Sequence, residues 1–127
     1  MSAEQQIKQA NRTIHHTQVR MAEAIQLDGI AAQLMAVQRH WRDPNRAEIL
    51  SAALSASRAV WQNIQGSLAT GVLALPADVQ HNMLILSVYA DSKISACEAS
   101  PNADILGSLI ALTRTLAGSL KEWRVAA

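Results

Sequence analysis

Between Leu50 and Leu68, the residues Leu50, Leu54, Ser57, Trp61, Ile64 and Leu68 step by four, three, four, three and four. That spacing gathers them on one side of an α-helix; on a strand, where faces alternate every second residue, it would scatter them. The result is a heptad-like seam with one polar member, Ser57. A helix carrying such a seam has to lay it against other helices, and the rest of the chain supplies them.

Proline and N-cap residues mark where those helices begin. Asp43 followed by Pro44 predicts the start of the Leu50–Leu68 helix, with the proline in the first turn where no amide hydrogen is missed. Gly66 and Gly71 weaken and end it. Pro76 opens a helix whose stripe is Val79, Met83, Leu86, Ala90 and Ile94. Leu84, Ile85, Val88 and Tyr89 widen its apolar arc so far that it is expected to be the central helix, covered on several sides. "SPNAD" at 100–104 signals a last helix lined by Ile105, Leu109, Leu112, Leu116, Leu120 and Trp123, with Lys121 and Arg124 near its negative end.

Upstream, Met21, Ala24, Leu27, Ile30 or Ala31, Leu34, Val37 and Trp41 form another stripe. Gly29 inside it costs roughly 1 kcal/mol relative to alanine, a weakness rather than a break. Ala3 to His16 offers only Ile7, Ala10 and Ile14 on one face and is expected to be a separate, weakly anchored helix. The expected fold is all-α: one domain, residues 1–127, built as an antiparallel bundle of four main helices (17–120) plus a short N-terminal helix (1–16).

Composition agrees and closes off other classes. Half of the 127 residues are apolar and 17% are charged, which fits neither disorder nor a membrane protein. The longest charge-free run, between Arg58 and Asp78, is interrupted by Gln62, Asn63, Gln65, Ser67, Thr70 and Pro76. No bilayer span of about 20 apolar residues is expected there. The polar start "MSAEQQIKQANR" has no apolar signal region, so the expected location is the cytoplasm. A net charge of +1 makes no strong electrostatic case for nucleic acid or anionic lipid.

Motifs for catalysis are missing from the sequence. His15 and His16 are neighbours and point about 100° apart on a helix, a poor metal pair. His40 and His81 have no second histidine three or four residues away, and the bundle di-iron and zinc motifs are lacking. "GSLATG" and "AGSL" lie at helix ends without the strand-turn-helix setting of a nucleophile elbow, and the glycines are too scattered for a phosphate loop. Cys97, the one cysteine, reads as a small core residue. No enzyme, cofactor, metal or small-molecule substrate is expected. One cluster, Arg39, His40, Trp41, Arg42 and Arg46, suits stacking on and neutralising RNA, or equally a helix C-terminus with its favourable cations.

Three segments in order carry a resemblance: "ALSASRAVW" (53–61), "LPADVQHNMLILSVYADSKI" (75–94) and "ILGSLIALTRTLAGSL" (105–120), preceded by "TQVRMAEA" (17–24). In order and spacing they resemble the α-proteobacterial FlaF family of flagellar proteins, over roughly residues 17–120. Arg20, Glu23, Arg58, Trp61, Leu75, Pro76, Asn82 and Arg114 match the family pattern. Val19 stands for a proline, Ser57 and Thr113 for two asparagines, Gln80 for a common arginine and Ser119 for a glycine, which marks a divergent member.

The resemblance implies a cytoplasmic regulator of flagellin synthesis and export that binds flagellin's amphipathic terminal segments, in company with the regulator FlbT. It makes Arg20, Glu23, Arg58, Trp61, Asn82 and Arg114 the candidate partner-binding residues, with Arg58 and Trp61 as one edge of an apolar groove and Arg114 as a second. Part of the apolar arc of 76–99 or of 53–68 is then expected to lie uncovered. Two other readings stay open: direct RNA binding through Arg39, Trp41, Arg42 and Arg46, and a helical module that only self-associates.

Overall fold

The computed structural model describes residues 2–122. It contains four helices: α1 (Ala3–Arg39), α2 (Arg46–Ala69), α3 (Ala77–Ala99) and α4 (Ala103–Glu122). α1 packs on α2 and α4, α3 packs on the same two, and the diagonal pairs do not meet. Neighbours run antiparallel. Glu23 meets Asn63 while Val37 shares a hollow with Ile49, and Asp28 meets Lys121 while Gln38 lies by Gly107. This is the four-helix bundle that the spacing predicts.

The short N-terminal helix is not seen: Ala3–His16 and the stripe beginning at Met21 form one helix of 37 residues. The reason is local. Nothing between His16 and Met21 removes an amide hydrogen or frees the backbone, because Val19 occupies the position that is proline in the family pattern. Ser2 caps the start by a reciprocal capping box, in which Gln5 N donates to Ser2 Oγ (3.2 Å) and Ser2 N donates to Gln5 Oε1 (3.0 Å). From Ser2 to His15 every residue is exposed, so this part of α1 overhangs the bundle.

Two helix starts differ from expectation by a residue or two. Asp43 is not the N-cap of α2; its Oδ1 accepts from Asn45 N (2.8 Å), and Asn45 takes the cap position. The reversal from α1 uses Asp43–Asn45 as a turn, with Arg46 N donating to the Asp43 carbonyl (3.0 Å). Pro76 is the N-cap of α3 rather than its first residue. Asn102 starts α4, its Oδ1 accepting from Asp104 N (2.7 Å) and Ile105 N (3.2 Å). Between α2 and α3 the chain reverses through Gly71 (φ 71°) and then Ala74 (φ 53°), a left-handed residue that costs about 1–2 kcal/mol and has to be held by its surroundings.

The α2 seam is buried along its whole length, Ser57 included. Along α1 the core takes Ala24, Leu27, Ile30, Ala31, Leu34 and Val37, whereas Met21 faces outward and Trp41 is half-buried. The buried face of α4 is turned slightly from the expected one, running through Leu106, Ile110, Thr113 and Ala117, with Ile105 and Leu112 at its margin. α4 is long and apolar enough to cross a membrane by length and composition, but its apolar face lies in this core. The expected Trp123 and Arg124 lie outside the described residues. α3 is not the central helix: it touches only α2 and α4, and Ile85, Val88 and Tyr89 point away from both. In a square of four helices each has two neighbours, so a wide apolar arc cannot all be covered.

Among the described residues Trp61 is the largest fully buried side chain, and its Nε1–H meets no acceptor among them. Trp61→Ala is expected to lower unfolding free energy by about 3–5 kcal/mol in urea titrations. Trp61→Phe is expected to cost less than about 1.5 kcal/mol, because it also removes an unpaired buried donor.

Candidate functional site

Two of the candidate residues, Arg20 and Glu23, lie one helical turn apart on α1, and both are buried. Arg20 Nη1 donates to the Leu73 carbonyl (2.9 Å) and Nη2 to Thr17 Oγ1 (3.3 Å). Among the described residues no carboxylate pairs with it, and burial pushes its pKa down. His16, a turn earlier, donates from Nδ1 to the Val72 carbonyl (2.6 Å). Gln80 Nε2 donates to the Leu68 carbonyl from the other side (2.7 Å). These bonds fix the α2–α3 reversal that contains Ala74.

Glu23 faces α2. Its oxygens accept from Asn63 Nδ2 (3.1 and 3.3 Å) and Ser67 Oγ (3.2 Å). Desolvation raises its pKa, and the bonds from Ser67 and Asn63 pull the other way. Sequence reasoning missed Asn63, Ser67 and Gln80 as partners. A signal existed: a carboxylate set among Ala24 and Leu27 needs donors, and Asn63 and Ser67 stand four apart on the facing helix.

Arg58 joins α2 to α3. Its Nη1 donates to Glu98 Oε2 (2.8 Å), its Nη2 lies 2.7 Å from Glu98 Oε1 and donates to Ser95 Oγ (3.0 Å), and Nε is 3.6 Å from Asp91. The Glu98 carboxylate raises the Arg58 pKa and is itself lowered by the guanidinium. Trp61 lies inside the core at 1% exposure, so it does not form a groove edge beside Arg58. Asn82 and Arg114 are exposed on α3 and α4 and meet none of the others. Thus Arg20 and Glu23 form one polar cluster under the α2–α3 loop, Arg58 a second, and the remaining candidates stand apart.

Positions that depart from the family pattern have their own chemistry here. Ser57 and Thr113, at the two asparagine positions, are buried and donate back to the Ala53 and Leu109 carbonyls of their own helices (2.8 and 2.7 Å). In the basic cluster, Arg46 lies over the Trp41 ring, 4.5 Å from its centroid, while Arg39 and Arg42 are exposed. The outer face of α3 is different in kind. Ile85 (43% exposed), Val88 (64%) and Tyr89 (60%) stand together, and with Ser92 they line an apolar hollow of about 310 Å³. Farther along the same face lie Ala96 and Ala99, also uncharged.

Among the described residues, no group of three or more histidine, cysteine or acidic side chains is placed to hold a metal ion. The fold and its surfaces define a small all-helical module with an open apolar face. The family model described as "Flagellar protein FlaF" matches residues 4–120. The chain belongs to the FlaF family and is a flagellar protein. No curated protein and no solved structure matches it.

Two predictions follow from the polar clusters. Because the fold raises the Glu23 pKa, the folded state holds a proton longer than the unfolded one, and stability falls as pH rises from about 4.5 through the raised value. Glu23→Gln lacks this loss, so its melting temperature should gain on wild type across that window in a pH series. Arg58→Ala is expected to cost at most about 1 kcal/mol, since its partners are partly solvated, and high salt should shrink the difference.

Proposed function

We propose that this protein is a cytoplasmic flagellin-binding chaperone and regulator, needed for flagellin synthesis and secretion, with FlbT as a companion. The uncovered face of α3 carries the reading. Ile85, Val88 and Tyr89 are exposed in a row, and the residues at the same angle farther along are small and uncharged. An amphipathic helix laid on this face exchanges its own exposed seam for theirs, which suits a disordered flagellin terminus that has to stay unassembled before export. Membership of a flagellar family supports the choice of cargo.

RNA binding is the weaker reading. Arg46 already covers the Trp41 ring that a base would need, leaving Arg39 and Arg42 as a small charge patch.

Calorimetry with the cognate flagellin tests the chaperone role. Wild-type protein should bind, and Ile85→Asp with Tyr89→Asp should weaken binding by about tenfold or more while the helical circular dichroism signal persists. No wild-type binding on the order of tens of micromolar would remove the chaperone role.

A further inference from the structure

α1 has a second apolar stripe, on the side away from the core. Ile7, Ile14 and Met21 recur every seven residues, Ile25 follows one turn later, and their exposures are 61, 54, 39 and 64%. At 100° per residue these four fall within about 40° of one another around the helix, opposite Leu27 and Leu34, which enter the core. Half of the stripe lies on the overhang and half on the back of the bundle. A strict seven-residue repeat is how a helix presents itself to one partner helix lengthwise.

We propose that the occupant is a second copy of this chain, its α1 antiparallel to the first and related by a twofold axis at Ile14. This register gives every stripe residue an apolar partner: Ile14 faces Ile14, Ile7 faces Met21, and Ile25 faces Ala3. It also explains where the stripe stops. The next place in the repeat is Asp28, a charged residue paired with Lys121. Under the twofold, Asp28 falls past Ala3, the first residue of the other copy's α1, on the side of its Ser2 cap. Its carboxylate then lies near the positive end of that helix. Each overhang rests on the back of the other bundle, and the bundles lie at opposite ends of an elongated pair.

The area sets the strength. From Ala3 to Ile25 the stripe is about 33 Å long on a helix about 10 Å across. That offers a few hundred Å² per copy, against about 800 Å² per partner in a standard stable interface. The dimer is therefore reversible and concentration-dependent.

Sedimentation of the full chain over a range of concentrations, with cysteine cross-linking, tests this. Wild type should pass from monomer to dimer, and Ile14→Asp should stay monomeric with an unchanged melting temperature, its side chain being outside the core. Ile14→Cys should form a disulfide-linked dimer on mild oxidation. Ile7→Cys should not, because the two thiols would be about 21 Å apart, whereas Ile7→Cys combined with Met21→Cys should. A wild type that is monomeric throughout, or an Ile7→Cys that links as readily as Ile14→Cys, overturns the arrangement. Loss of flagellin binding in Ile14→Asp, with wild type monomeric, would give the stripe to cargo and overturn the self-pairing.

Discussion

α1 has 37 residues and the other three helices have 20 to 24, so among the described residues about 20 Å of it has nothing to pack against. An isolated helical segment of that length is marginal in water, since nucleation is costly and each turn adds little. Here the overhang inherits its nucleus from the packed part of the same helix and is closed at its tip by the Ser2–Gln5 capping box. Much of the remaining architecture follows from this mismatch. The end of the bundle from which the overhang projects is also where α2 turns into α3, and α1 reaches across to hold that turn through His16 and Arg20.

That gives the matched positions Arg20 and Glu23 a physical role distinct from surface recognition. Arg20 is buried with carbonyl and hydroxyl acceptors rather than a carboxylate, so its charge is dispersed over the backbone of a strained loop. Glu23 is buried among neutral donors. Each is costly to bury and each depends on partners beyond its own helix, Arg20 on the Leu73 carbonyl and Glu23 on Asn63 and Ser67, which makes them devices of register: sliding α1 along α2 by one turn would strand both charges. Leucine and alanine faces slide more easily.

The bundle was legible because its signal is periodic. The Leu50–Leu68 seam, the stripe from Ala24 to Val37, and the proline and asparagine starts all act within one helix, where spacing alone decides which side is buried. The length of α1 was not, because a weak stripe such as Ile7–Ala10–Ile14 looks like a detached helix unless the lack of any break around Val19 is given more weight than the lack of burial. The site was less legible still. Trp61 and Arg58 are neighbours in a motif, yet one lies in the core and the other reaches over to α3, since the roughly 60° between them around the helix puts Trp61 on the seam and Arg58 at its margin. Asn63 and Ser67 could be assigned only once the facing helix was known.

The same square geometry separates the two open surfaces. α1 and α3 are diagonal and do not touch, so the outward stripe of one and the outward face of the other look in opposite directions. They also differ in chemistry. The α1 stripe is narrow, regular and long, with its repeat ended by Asp28, and suits a partner of fixed register. The α3 face is broader, its larger residues Ile85, Val88 and Tyr89 followed at heptad spacing by the small Ser92, Ala96 and Ala99, which grip no particular side chain and tolerate a partner that varies in sequence. Pairing through α1 therefore leaves both α3 faces of a dimer open. On the proposed reading, a chaperone that also pairs with itself would use this division between a specific seam and a permissive one to keep the two contacts from obstructing each other.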